Sequence, residues 1–82
     1  MTRNEAIERL EAILAAAKTL PEDVRVLGCY LGWSDSKPCL HVPLGTLPVV
    51  REVTVGNWKQ SYADDREGVE VYSVEPVERP EQ

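Results

Sequence analysis

Cys39 and His41 stand two residues apart, a spacing that puts both side chains on one face of a strand. A thiol beside an imidazole is the raw material of a nucleophile and its base. That chemistry also needs an oxyanion-binding group and a pocket, and two neighbours on one strand supply neither. Zinc would need four ligands, and Cys29, Cys39 and His41 supply three at most. Asp64, Asp65 and Glu67 are close in sequence, but the alternating oxygen ligands and terminal glutamate of a calcium loop are absent. The chain carries no glycine-rich phosphate loop and no GxGxxG, HExxH, GxSxG or CxxC motif. These residues read as a half-buried histidine and packed thiols; no catalysis, metal or cofactor is expected. A hairpin centred on Ser34 would set Cys29 opposite Cys39, within reach of a disulfide, whereas a centre between Asp35 and Ser36 would separate them. No export signal precedes them, so reduced thiols and a cytoplasmic location are the expectation.

The aromatic residues point to binding. There is no Phe, and Tyr30, Trp33, Trp58, Tyr62 and Tyr72 each pair an apolar body with a polar handle. Trp33 falls in the turn-forming segment WSDSKP and Trp58 follows Gly56-Asn57. Indoles in loops either fold back over the core or meet a partner. Lys37, His41, Arg51, Lys59 and Tyr62 are expected near them. Such a set suits stacking on a base and pairing with phosphate, and it suits a protein hot spot equally well.

The elements that must position these residues follow from periodicity and turn chemistry. Residues 2–18 read as a helix with Thr2 and Glu5 as a capping box. Ala6, Ile7, Leu10, Ile13, Leu14 and Ala17 form one apolar stripe, and Glu5 and Arg9 are four apart as a pair. Pro21 ends it. VRVLGCYLG (24–32) reads as a strand apolar on both faces, hence central. CLHV (39–42) returns as its hairpin partner, and residues 43–48 are loop. VVREVTV (49–55) is a third strand. Residues 57–68 are polar and expected as loop. VEVYSV (69–74) is a fourth strand whose alternation shifts near Val71-Tyr72, which predicts a bulge. The expected fold is a single α+β domain over 1–75: one N-terminal amphipathic helix packed on a four-stranded antiparallel sheet. Residues 76–82 read as a loose acidic tail. Apolar residues left for the uncovered face (Leu27, Leu31, and Leu40 or Val42 in some registers) favour a homo-oligomer.

The 82 residues carry 9 Lys and Arg against 14 Asp and Glu, a formal charge of -5, with 43% hydrophobic residues. That composition is globular and allows one small core. No apolar run is long enough for a membrane span. Residues 1–23 hold three basic and five acidic residues, 24–60 four and two, 61–82 two and seven. The sheet segment is mildly basic and the C-terminal segment strongly acidic. An acidic chain argues against duplex DNA and leaves room for an acidic surface that engages a basic site.

In length, acidity and helix-then-sheet order, the chain resembles the small accessory proteins of bacteriophages and mobile elements. The likeness is one of general character over the whole chain. It implies an inhibitor of a host factor or a sequestering protein, usually oligomeric, and assigns no site residue. The expected function is that of a small non-enzymatic inhibitor or adaptor acting through protein–protein contacts at Trp33, Trp58 and the acidic surface. The alternative is a sponge that holds an anionic small molecule, such as a nucleotide, at a subunit interface. A small enzyme using Cys39 and His41 is the third and weakest reading.

Overall fold

Thr2 sits in the extended region of backbone space, where its hydroxyl can reach over the first helical turn. Its Oγ1 accepts the Glu5 N–H at 3.2 Å and donates to the Glu5 carboxylate. Helix α1 then runs over Arg3–Lys18, with Glu5 in its first turn and Lys18 in its last, each favourable to the helix dipole. This computed structural model describes residues 1–33 and 35–77. The helix lies as the sequence predicts, but its buried line differs. Ile13 and Ala16 are buried and Ala12, Ala17 and Leu20 pack beside them, whereas Ile7, Leu10 and Leu14 are exposed. The apolar arc is wider than the contact. Small residues along 12, 16 and 17 let the sheet approach closely on one side, and the larger residues next to them stay outside. Arg9 does not serve as the helix-surface partner of Glu5. Its Nη1 donates to the carbonyls of Leu31 at 2.7 Å and Ser36 at 2.6 Å, tying the helix to the loop after the first strand.

Five strands follow: β1 (Gly28–Tyr30), β2 (Cys39–His41), β3 (Arg51–Val55), β4 (Trp58–Tyr62) and β5 (Glu70–Pro76). Their order across the sheet is β1-β2-β5-β4-β3, with β2 and β5 parallel and the other neighbours antiparallel. The fold is α+β as expected, but the sheet is mixed and five-stranded, not antiparallel and four-stranded. The added strand, β4, lies in the polar segment expected as loop. Gly56, at φ +59°, begins a two-residue turn that folds the chain straight back from β3. The residues of β4 then alternate faces without needing to be apolar. The parallel pair arises because the connection 42–50 carries the chain from β2 to the far edge. The β3-β4-β5 meander returns from there to lie beside β2.

Three further expectations change. The segment 24–32 contributes only the three residues of β1, at an edge of the sheet, so the apolar character of its second face meets no second layer. Gly32 (φ +76°) closes the strand. A Cβ there would lie 2.7 Å from the Lys37 carbonyl oxygen, so the loop requires glycine. Cys29 faces Leu40 and Tyr30 faces Cys39, which places the two thiols on opposite faces; both are free. Ser34, the centre that would have set the two cysteines opposite each other, lies outside the described residues. No bulge interrupts β5, whose register against β2 and β4 runs through Val71 and Tyr72 without a slip. The apparent phase shift comes from Ser73, which is buried opposite an equally buried Ser61. Strand β5 also runs on to Pro76, and Val77 N–H donates to Asn57 O at 2.8 Å. Residues 78–82 of the expected tail lie outside the described residues.

The core is one cluster of Ile13, Ala16, Leu40, Val42, Ala63, Val69 and Val71. Leu40 and Val42 therefore face the helix and not the uncovered side. Between β4 and β5, Arg66 and Val69 exchange backbone bonds of 3.0 and 2.8 Å around Glu67 (φ +51°) and Gly68 (φ +74°), a primed turn. Arg66 Nη1 donates to the Thr19 carbonyl at 2.8 Å, at the C-terminal end of the helix. The helix packs on β2, and the β3–β4 hairpin projects beyond it. The molecule is 51 Å long, and its radius of gyration of 14.0 Å exceeds the about 12 Å of a compact chain this size. No described helix is long and apolar enough to cross a membrane.

Candidate functional site

Strand alternation sends Leu40, Val42, Ser61, Ala63, Val71 and Ser73 toward the helix. The opposite face collects the other parity of every strand, and its central row crosses the whole sheet. The register aligns Gly28, His41, Tyr72, Tyr62 and Arg51, one residue from each strand. At about 4.8 Å per strand the row is about 19 Å long. Its members touch in sequence. The His41 and Tyr72 rings stack at 5.0 Å and 5°. Tyr72 and Tyr62 meet at 6.0 Å with a tilt of 35°. The Arg51 guanidinium lies 4.1 Å from the centre of the Tyr62 ring, a cation–π contact. Glu70 accepts from Arg51 Nη2 at 2.9 Å and holds the guanidinium in place.

Toward the hairpin end the same face turns apolar, through rows Val53–Gln60–Val74 and Val55–Trp58–Pro76. Trp58 and Val55 are more than half exposed. Toward the other end, Tyr30 shares the face and acts on the Tyr72 hydroxyl, adding to the rise in its pKa.

The electrostatics of the face are those of a quiet surface. Burial pushes the Tyr72 hydroxyl up to about 12, with Tyr30 adding to it, and burial and Glu70 also raise Tyr62. Burial and the carboxylates of Glu70 and Asp65 push the Cys39 thiol up, away from the thiolate a nucleophile requires. His41 sits two residues along the same strand with its ring packed flat on Tyr72. Among the described residues, no group of three or more His, Cys, Asp or Glu side chains is placed to hold a metal ion.

The sequence-derived site residues separate into three groups. His41, Arg51 and Tyr62 come together in the central row, and Trp58 shares their face at the hairpin end. Lys37 is bonded to Asp65 at the margin of this face. Lys59 points to the other side, where it pairs with Glu75 at 2.9 Å and Glu52 at 3.6 Å beside a cleft of about 310 Å³. Trp33 stands apart in the β1–β2 loop, 80% exposed, with its backbone N–H donated to Ser36 Oγ at 2.8 Å. Tyr72, Tyr30, Glu70 and Val53 belong to the face and were missed as site residues. For Tyr72 the signal was present: Glu70, Tyr72 and Val74 alternate strictly once Ser73 is accepted as an inward residue. Comparison of the chain with protein-family models, with curated proteins and with solved structures finds no match.

Proposed function

We propose that this protein is a small binding module that receives a protein partner on the helix-free face of its sheet. The observation that carries the reading is the continuous row His41–Tyr72–Tyr62–Arg51, flanked by Trp58, Val53 and Val55 and covered by no element among the described residues. Tyr, Trp and Arg are the residue types in which interface binding energy concentrates. Their rings are already held by one another, so little side-chain freedom is left to lose on binding. The acidic balance of the chain suits a partner with a basic surface.

The nucleotide sponge has less support. Lys37, Arg51 and Lys59, the cations it would use, each sit against a carboxylate. An anion would have to displace that partner before pairing.

A photo-crosslinking residue at Gln60, on the open face, and another at Glu8, on the outer side of the helix, test the proposal. The partner captured from position 60 alone is then purified and its affinity measured. Tyr62→Ala and Arg51→Ala should each weaken it roughly tenfold or more while leaving the melting temperature within about 3 °C of the parent. Equal capture from both positions, or unchanged affinity in both variants, defeats the reading.

A further inference from the structure

Strand β3 is one of the two outer strands of the sheet, and within its five residues it has neither proline nor a break in register; its charges are one arginine and one glutamate of opposite sign. Arg51-Glu52-Val53-Thr54-Val55 contains no proline, lysine or glycine, and its register with β4 is unbroken from Arg51↔Tyr62 to Val55↔Trp58. The helix lies over β2, far from this edge, so no described element covers it. Val50 and Val55 are 66% and 56% exposed.

Backbone geometry says which groups face outward. In the two-residue turn Val55 and Trp58 form a hydrogen-bonded pair, and such pairs alternate along an antiparallel ladder. Arg51, Val53 and Val55 therefore direct their N–H and C=O groups at β4. Val50 N–H also turns inward, to Tyr62 O at 2.8 Å. Glu52 and Thr54 are left with both backbone groups pointing away from the sheet.

We propose that β3 pairs antiparallel with β3 of a second copy about a two-fold axis through Val53. This register sets Glu52 against the partner's Thr54 and Thr54 against the partner's Glu52, so the outward groups of both strands close on each other in four hydrogen bonds. Val53 meets the partner's Val53, and Arg51 meets the partner's Val55. No like charges stand opposite. A register centred on Arg51 or on Glu52 would set a charge against itself, and one centred on Thr54 would leave Glu52 without its match. The strand is thus self-complementary in charge and in backbone donors, as a two-fold interface requires. The axis is perpendicular to the sheet. It keeps both helices on one side and joins the two open faces into one surface. The proposal stands apart from what that surface binds.

The register is tested by cysteine cross-linking in a chain carrying Cys29→Ser and Cys39→Ser. Val53→Cys occupies a non-hydrogen-bonded self-pair with Cα atoms about 4.5 Å apart, within disulfide range. It should oxidise to a covalent dimer at least tenfold faster than Val55→Cys, whose copies would lie about 14 Å apart along the strands. On the unmodified chain, sedimentation from about 1 to 200 µM should show twice the monomer mass, and the Glu52 and Thr54 amides should exchange more slowly as concentration rises. Thr54→Pro, which removes an outward N–H at an edge, should raise the dimer dissociation constant roughly tenfold or more. A monomer throughout that range overturns the proposal. So does a dimer that cross-links through Leu10→Cys on the exposed helix side and not through Val53→Cys. Concentration-independent exchange at residues 52 and 54 overturns it even if the cysteine variants fail to fold.

Discussion

Tyr72 shows how one side chain records its surroundings. Its hydroxyl stays protonated up to about pH 12 because the charged form is poorly hydrated between His41, Tyr62 and Tyr30. In the unfolded chain a tyrosine titrates near 10. The folded pKa is the higher one, so this contribution to stability is fully present below pH about 10. It is lost as pH rises through about 12. Absorbance titration of tyrosinate should show one group ionising well after the others, and Tyr72→Phe should remove that last phase. If the last phase survives the substitution, the packing of the central row is not as described. Arg9 and Arg66 make the complementary point. Both are charged residues used as structural ties: Arg9, midway along the helix, donates to the carbonyls of Leu31 and Ser36, and Arg66, in the β4–β5 turn, donates to the Thr19 carbonyl at the end of the helix. Both guanidiniums bond backbone carbonyls far away in sequence, and nothing in their spacing said so.

The β4–β5 turn is the element where local sequence and geometry agree least. Glu67 holds φ +51°, a conformation that costs a residue with a Cβ about 1 kcal/mol or more, and its side chain has no short-range way to offset this. Asn tolerates the left-handed region and Asn-Gly is the preferred pair for this turn. Glu67→Asn should therefore stabilise the protein by about 0.5–1 kcal/mol, seen as a rise in melting temperature of several degrees. A fall would mean that Glu67 is held by an interaction outside the turn. The β3–β4 turn obeys the same logic with a better residue, since glycine itself takes the positive φ at Gly56. That turn makes a strand out of Trp58–Tyr62, a stretch with little intrinsic strand preference beyond its two aromatics.

At the level of the molecule, the core is concentrated at one end of the sheet, and the proposed binding row crosses the face opposite to it. The core lies where the helix crosses β2, and Leu40 and Val71 are almost fully buried there. The hairpin beyond it is held by the ladder and by surface pairs such as Lys59–Glu75, and surface pairs contribute little. Leu40→Ala should cost about 2–5 kcal/mol, a large part of what a domain this small possesses. Val55→Ala, out on the hairpin, should cost less than about 1 kcal/mol. Urea denaturation followed by circular dichroism compares the two directly. Equal losses would mean that the hairpin end is packed against something in solution.

Much of the plan was legible from the chain. The helix announced itself through Thr2, its apolar spacing and Pro21, because those signals act within a few residues of one another. The β1–β2 hairpin followed from the turn residues at 33–38, and the aromatic and cationic residues stood out by type before any of them had a position. The fold could not be completed that way. Whether Leu10 or Ile13 meets the sheet depends on where the sheet lies. The parallel pairing of β2 with β5 joins segments about thirty residues apart, a distance over which no local preference acts. The aromatic row is a product of that pairing. His41, Arg51, Tyr62 and Tyr72 come from four different strands, and only the register between those strands makes them one surface.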